Sequence, residues 1–281
     1  LDKSTKIVVV EKGESFSKVT EDLKSQNLIK SAWAFNLYAK QTGLGSRIQT
    51  GTFRLSPSMS SEQILKTLTL QPLENWVTLI EGWRVEEMAG KLSSALGVQS
   101  SEFLKAAKEG YMFPDTYLSP KDYTPEQIAK RMRDNFDQKY SDEIKSKIRS
   151  LGLTDAQGVI LASIVEREAR SDGARRMVAS ILLKRFKIGM GLNADATVQY
   201  ALVPKGSQNP PSDGWWKRHL THDDLAVKSS YNTYIHSGLP PTPICNPSLS
   251  SLQAVADADP STPYLYYYHD SKGNSYYAQT L

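Results

Sequence analysis

The stretch that decides the fold of the C-terminal part of the chain is residues 154–170, TDAQGVILASIVEREAR. It opens with a capping-box pattern, in which Thr154 accepts hydrogen bonds from backbone amides of the first turn and Gln157 reaches back. An almost unbroken apolar run follows, and charged residues close the stretch. The sequence therefore predicts a helix from this point to about Arg170.

One acidic residue of this helix lies on its apolar stripe. At about 100° per residue, Glu168 falls about 80° from Ile160, inside the arc between Ile160 and Val165. A carboxyl group that loses hydration there has a raised pKa, which suits a general acid. Geometry alone gives more weight to the alternative, in which such a glutamate pairs with a neighbouring arginine or extends into solvent. Glu166 falls on the opposite side, and we expect an exposed i,i+4 ion pair with Arg170.

Length, composition and charge limit the class of protein. The 281 residues suffice for about two domains. Hydrophobic residues make up 40% and charged residues 23%, which excludes a disordered, collagen-like or coiled-coil chain. The net charge of +4, without a block of like charges, predicts no nucleic-acid partner and fits a neutral polymer or small molecule at least as well. A single cysteine, Cys245, excludes an internal disulfide and a four-cysteine zinc site.

The sequence contains no apolar run near the roughly 18 residues that a membrane span requires. The chain begins at Leu1 rather than methionine. From this we expect a processed or trimmed protein, with a membrane anchor upstream that the present chain lacks.

Two regions differ in their pattern of elements. The first has the order strand, helix, helix, strand, helix. Its strands are predicted at 7–10 and 49–55, and its helices begin after Ser15, begin after Ser31 and cover 61–68. A linker at 70–75 separates it from a longer, mostly helical region. That region has a predicted strand at 76–80, helices at 85–96, 101–108, 125–140, 172–187 and 248–258, and a β-hairpin of 264–269 with 275–279. We predict an α+β fold with domains at 1–72 and 73–281.

Two segments of the second region, residues 109–117 and 231–247, are rich in aromatic residues, proline and glycine. Proline holds a loop in one shape at little entropic cost, which suits a preformed groove. Tyrosine and asparagine offer apolar faces for sugar rings and polar groups for hydroxyls and amides. The alternative is that these loops pack over helix ends as ordinary core.

Other catalytic arrangements have weaker support. A metal site is one interpretation of residues 219–224, because imidazole and carboxylate groups bind metals: His219, His222, Asp223 and Asp224. The segment from Thr221 also fits a helix start with acids in its first turn, and we favour this interpretation. The sequence lacks the Gly-x-Ser-x-Gly elbow of serine hydrolases and a phosphate-binding glycine loop. Cys245 lies among prolines without a positioned base in view. We predict neither a metal nor a cofactor.

Several motifs resemble the endolytic murein transglycosylase family, also called MltG-like or YceG-like. They occur in family order as EGYMFPDTY at 109–117, ASIVERE at 162–168, DATVQY at 195–200, YNTY at 231–234, GLPP at 238–241 and YLY at 264–266. The resemblance covers residues 76–281, and residues 4–70 resemble the LysM-like subdomain that precedes the catalytic domain. The chain departs from the family at Ser229-Ser230, where Ser-Pro is usual, and ends before the usual C-terminal helical tail.

The resemblance implies cleavage of the β-1,4 bond between N-acetylmuramic acid and N-acetylglucosamine without water, leaving a 1,6-anhydro end. Such chemistry needs one carboxyl group, and the family's catalytic glutamate matches Glu168. The candidate groove residues are Asn232, Tyr231, Tyr234, Tyr111, Asp115, Asp195 and Thr197. The resemblance further implies a single-pass anchor, a catalytic domain on the outer face of the cell membrane, and peptidoglycan synthases (penicillin-binding proteins) as partners in setting glycan strand length.

Two alternatives remain at this stage. A muramidase that hydrolyses the same bond needs a second carboxylate to activate water, for which Asp115 and Asp195 are the candidates. A non-catalytic glycan-binding scaffold for a synthase needs neither acid.

Overall fold

The computed structural model describes residues 5–70, 74–120, 123–270 and 272–281. The chain forms two compact units. The first contains the described residues up to Thr78, together with Ala95–Gly97 and those described within Thr116–Tyr123; the second contains Leu79–Ser94, Val98–Asp115 and the described remainder from Thr124.

The first unit is built on a four-stranded antiparallel sheet in the order β1-β2-β3-β4. Its strands are β1 (Lys6–Val10), β2 (Gly51–Leu55), β3 (Glu74–Thr78) and β4 (Thr116–Pro120), and its helices are α1 (Phe16–Ser25), α2 (Ala32–Thr42) and α3 (Ser61–Thr69). Val8 pairs with Phe53 across the first two strands. The side chains of Leu23, Phe35 and Leu65 complete an apolar core of their own.

The serine caps predicted for the first two helices are confirmed. Ser15 accepts from the amide of Lys18, and Ser31 accepts from that of Ala34. The order strand, helix, helix, strand, helix is also confirmed. The likeness to a LysM-like subdomain and the division at residues 72 and 73 stay predictions, and the predicted linker lies partly outside the described residues, at 71–73.

The remaining elements are mostly helices. They are α4 (Val85–Leu96), α5 (Ser100–Ala106), α6 (Pro125–Lys139), α7 (Asp142–Ser150), α8 (Asp155–Glu168), α9 (Asp172–Lys187), α10 (Asp195–Ala201), α11 (His222–Leu225) and α12 (Leu249–Ala256), with a hairpin of β5 (Tyr266–His269) and β6 (Ser275–Ala278). The α+β class is therefore confirmed. Among the described residues no single helix is long and apolar enough to span a membrane, although α7 and α8, bent by 93°, reach that threshold together.

Helix α8 is the centre of the second unit. Its capping box forms as predicted between Thr154 and Gln157, and every residue from Gly158 to Val165 is buried. A Cβ on Gly158 would lie 2.8 Å from two methyl carbons of Ile148, so glycine permits α7 to pack closely against α8. This core fixes the end of α8, where the acidic residues lie.

Several details differ from the sequence prediction, including helix α10, which was not predicted. Helix α8 ends at Glu168 rather than about Arg170, because Ala169 is extended, with φ −134° and ψ 146°. Helix α7 and strand β4 were not predicted: α7 buries only Ile144 and Ile148, and β4 depends on pairing with the distant β3. Helix α9 and the hairpin lie where the sequence places them.

Candidate active site

Glu168 is the last residue of α8 and is held by two donors from different elements. The hydroxyl of Tyr267, on β5, donates to its Oε2 at 3.0 Å. The backbone N–H of Ala196, in the first turn of α10, lies 3.5 Å from its Oε1. Three separate elements therefore fix the position of one carboxyl group.

Desolvation raises the pKa of Glu168 from 4.5 to about 7. The hydrogen bonds from Tyr267 and Ala196 oppose this rise because they favour the ionised form, while the nearby charge of Asp195 adds to it. The loss of hydration predicted from the helical phase is thus found at this side chain. A carboxyl group with such a pKa can both donate and accept a proton near neutral pH.

Glu168 opens onto a cleft of about 440 Å³. The other lining residues are Arg185, Asn193, Asp195, Tyr234, Tyr266, Tyr267, Tyr268, His269 and Leu281. Two predicted groove residues are linked there, since the Tyr234 hydroxyl donates to Oδ1 of Asp195 at 2.6 Å. The structure thus brings together Glu168, Asp195 and Tyr234 in an aromatic cleft closed on one side by the C-terminal hairpin.

Two other predicted groove residues are fully buried and bonded to protein. The Asn232 side-chain amide donates to the carbonyl groups of Leu225 and Val227, at 2.8 and 3.0 Å. Thr197 donates to the carbonyl of Ala194 at 2.7 Å. Neither lines the cleft of Glu168, and both brace the segments that carry Asp195 and Tyr234.

The last three predicted groove residues lie elsewhere. The hydroxyl groups of Tyr231 and Thr242 are 2.6 Å apart. Tyr111 packs edge-on against Phe136. The structure also places Asp115 away from the cleft, with its Oδ2 accepting from the side chain of Asn135 at 3.1 Å. A substrate-binding role for these residues stays a prediction.

The prediction of an exposed ion pair between Glu166 and Arg170 is wrong. The Glu166 side chain is only 5% exposed and forms a 2.9 Å ion pair with Arg175. It also accepts from the backbone N–H and hydroxyl of Ser248 and from the hydroxyl of Ser251, at the N-terminal end of α12. A helical projection of α8 alone cannot show this, because the side that it assigns to solvent is covered by α12 and α9.

Another carboxyl group with a raised pKa occurs in the aromatic segment 109–117, and sequence reasoning assigned it no role. Desolvation, with the charge of Glu86 adding to it, raises the pKa of Glu109 to about 8. Glu109 accepts from the side chain of Asn246 at 3.0 Å. The Oδ1 of Asn246 in turn accepts from the amides of Gly110 and Met112. Glu109 therefore joins the two proline-rich segments.

Gly110 makes the same junction possible. Its φ is +85°, and a Cβ there would lie 2.4 Å from the ring of Pro243. A side chain is excluded on both grounds. Segments 109–117 and 231–247 thus meet by close packing, as in the alternative interpretation, while the second also supplies Tyr234 to the cleft.

The histidine-rich stretch is a helix start. Thr221 and Asp224 form a capping box at α11, and Asp224 pairs with Lys217 at 2.7 Å. In the part of the chain that the structure describes, no group of three His, Cys, Asp or Glu residues is placed to hold a metal ion.

Sequence reasoning missed Tyr267 and the amide of Ala196 as partners of Glu168. Tyr267 is one of several tyrosines on the hairpin, and no pattern distinguishes it from Tyr268, whose side chain is exposed. The amide has no side-chain signature at all. Only tertiary packing identifies both donors.

The family model described as the YceG-like family matches residues 8–281. The chain belongs to the YceG-like family. Its relatives include a protein of Bacillus subtilis (strain 168) named endolytic murein transglycosylase, 29% identical, with 99% of this chain and 82% of that protein covered. A protein of the same name from Streptococcus pneumoniae (strain D39) is 26% identical, with 96% of this chain covered. This YceG-like chain spans 55% of the length of that relative.

A solved structure is also similar. The crystal structure of the putative yceG-like protein lmo1499 from Listeria monocytogenes matches 99% of this chain and 97% of its own, with 26% identity and a TM-score of 0.67. The arrangement of helices and short strands is thus that of a YceG-like protein.

Proposed function

We propose that this YceG-like chain is a lytic transglycosylase of peptidoglycan, in which Glu168 serves first as general acid and then as general base. The observation that carries the proposal is the carboxyl group with a pKa of about 7 at the wall of an aromatic cleft. The names of the relatives support the substrate. The products would be glycan fragments with 1,6-anhydro-N-acetylmuramic acid ends.

The reaction requires one proton transfer from Glu168 and one proton transfer back to it. Protonated Glu168 gives its proton to the glycosidic oxygen as the bond to the anomeric carbon breaks. The 6-hydroxyl of the same muramic acid then attacks that carbon and gives its proton to the Glu168 carboxylate. No water is consumed, and the enzyme ends in its starting protonation state.

The neighbours of Glu168 suit both steps. The hydrogen bond from Tyr267 stabilises the carboxylate that exists between the two proton transfers. The amide of Ala196 supports the other oxygen. The tyrosine rings of the cleft offer flat apolar faces to sugar rings. Tyr234 orients the Asp195 carboxylate, which remains available to sugar hydroxyls along its exposed edge.

The test is replacement of Glu168 by glutamine, which keeps the shape and removes the acid. We expect release of anhydro muropeptides from purified peptidoglycan to fall by about 10² or more. Glu143→Gln is the matched control, because Glu143 lies on α7 with its side chain 79% exposed. Equal release by wild type and Glu168→Gln would refute the proposal and favour the scaffold interpretation.

A hydrolase of the same bond is the second candidate, and one observation favours considering it: Asp195 lines the same cleft as Glu168. Such an enzyme would use Asp195 to activate water. Mass spectrometry of the digest distinguishes the two reactions. Transglycosylase products are lighter by one water than hydrolysis products, so reducing muramic acid ends in place of anhydro ends would establish the hydrolase.

We further propose that the protein is anchored in the cell membrane and acts at its outer face, beside peptidoglycan synthases whose glycan strands it shortens. The proposal rests on the substrate, because peptidoglycan lies outside the membrane. Glycan strands isolated from cells that carry only the Glu168→Gln form should be longer than those of wild-type cells. Unchanged strand length would contradict this role.

A further inference from the structure

Two consecutive residues at the end of α8 line two different cavities. Glu168 lines the cleft described above, and Arg167 lines a larger cavity of about 810 Å³. We call the latter the tryptophan cavity; its other lining residues are Glu87, Gln199, Asp213, Gly214, Trp215, Trp216, Lys217, Arg218 and His219. Because adjacent Cα atoms are about 3.8 Å apart, both cavities adjoin the same helical turn.

One wall of the tryptophan cavity is held rigidly. The indole N–H of Trp216 donates to Oε2 of Glu87 at 2.9 Å, and the guanidinium of Arg167 lies 3.9 Å from the centre of the Trp216 ring. The side chain of Gln199 donates to the carbonyl of Lys217 at 2.8 Å. Two hydrogen bonds, from α4 and α10, and one cation–π contact from α8 therefore hold the backbone and the ring that frame the cavity.

Trp215 lines the same cavity as Trp216 and is partly buried to a similar degree, but its indole N–H is placed differently. Among the described residues, no hydrogen bond is found to its indole N–H. Arg218 and His219 follow it and are exposed. The guanidinium of Arg84 lies 5.7 Å from the centre of the Trp215 ring. Trp215 thus offers a flat ring with one face toward Arg84, and a free donor, beside two polar, exposed side chains.

This combination is typical of sugar recognition. The C–H face of a pyranose ring packs on an indole, while hydroxyl and acetamide oxygens take hydrogen bonds from indole, arginine and histidine donors. A cavity of this size accommodates a ligand of a few hundred cubic ångströms. The cavity also adjoins the turn that carries Glu168, where the proposed function places a bond of a long glycan polymer.

We propose that the tryptophan cavity binds a further N-acetylhexosamine unit of the glycan strand, outside the cleft that holds the scissile bond, with Trp215 as its stacking platform. The inference rests on the proposed function. It predicts that the enzyme prefers long strands to short ones, because only a long strand fills both cavities.

The experiment compares peptide-free glycan strands with the shortest oligosaccharide that the wild type cleaves. Trp215→Leu keeps apolar volume but removes the flat ring. We expect this variant to lose about tenfold in kcat/KM on long strands, through KM, with no comparable change on the short substrate. Trp215→Tyr, which keeps a flat ring, should restore most of the preference. Ile188→Ala is the control, since Ile188 is an exposed apolar residue of the same unit outside both cavities.

A binding measurement keeps the inference independent of turnover. Calorimetric titration of Glu168→Gln with peptide-free strands should show binding that the added Trp215→Leu change weakens about tenfold. If Trp215→Leu changes neither KM nor binding while the wild type forms anhydro ends, the inference is overturned and the proposed function stays intact. An effect confined to strands bearing stem peptides would also overturn it, because the occupant would then be the peptide. Absence of anhydro ends from the wild-type digest would instead overturn the proposed function.

Discussion

The carboxyl groups of Glu166 and Glu168, both at the end of α8, have different surroundings. Glu166 accepts four hydrogen bonds, from Arg175, Ser248 and Ser251, with its side chain almost fully enclosed. Glu168 accepts two, from Tyr267 and an amide, and lines an open cleft. The comparison shows that two carboxyl groups on one helical turn have different surroundings. What distinguishes Glu168 is that it has fewer hydrogen-bond donors than Glu166 and opens onto a cleft.

The largest expected difference concerns folding stability. Glu166→Ala leaves the guanidinium of Arg175 and the donors of Ser248 and Ser251 without their buried acceptor, at a cost of about 3–5 kcal/mol in the free energy of unfolding. Denaturant titration measures it. Glu143→Ala, at an exposed position of α7, should change that free energy by less than about 0.5 kcal/mol. A Glu166→Ala protein as stable as the control would mean that the network contributes nothing.

The second difference concerns the pH dependence of stability. The folded state keeps the Glu168 proton up to a pKa of about 7, whereas the unfolded chain releases it near 4.5. Unfolding therefore releases a proton between these values, so stability falls as pH rises from about 4.5 to about 7, by about 3 kcal/mol. Glu168→Gln should lack this part of the decline. Parallel curves of Tm against pH for the two proteins would contradict the assignment.

The smallest effect concerns Tyr267. Its hydroxyl favours the ionised form of Glu168, so Tyr267→Phe should raise the pKa further and move the basic limb of the kcat/KM profile upward from about pH 7 by about one pH unit. The control is Tyr276→Phe on the same hairpin, where the hydroxyl donates to Asp270 instead. A profile that does not move, or that moves equally in both variants, would show that the Tyr267 hydroxyl does not affect the pKa of Glu168.

The elements that the sequence predicts well are those with local signals. Caps at Ser15, Ser31 and Thr154 mark helix starts that a few neighbouring residues determine. Helix α7 and strand β4 lack such signals, because α7 is short and carries two buried apolar residues, and β4 exists through pairing with a strand about 40 residues earlier.

The candidate site likewise has parts that local sequence signals predict and parts that they do not. The apolar period of α8 makes Glu168 a candidate for a buried carboxyl group, and this needs only the helix itself, but the same period wrongly assigns Glu166 to solvent. The surroundings of Glu166 could not be predicted, since Ser248 and Ser251 lie more than 80 residues further along the chain. Asn232 and Thr197 have side chains suited to a groove, but the fold uses their polar atoms to brace it.

The most direct test of the central claim is the titration of the Glu168 carboxyl group itself. Carbon-13 NMR of glutamate side chains in the folded protein, with Glu168→Gln to assign the resonance, reports its protonation at each pH. We expect a midpoint near pH 7. A midpoint near 4.5, the ordinary value for a glutamate, would contradict it, because the group could not then supply the proton that cleavage requires.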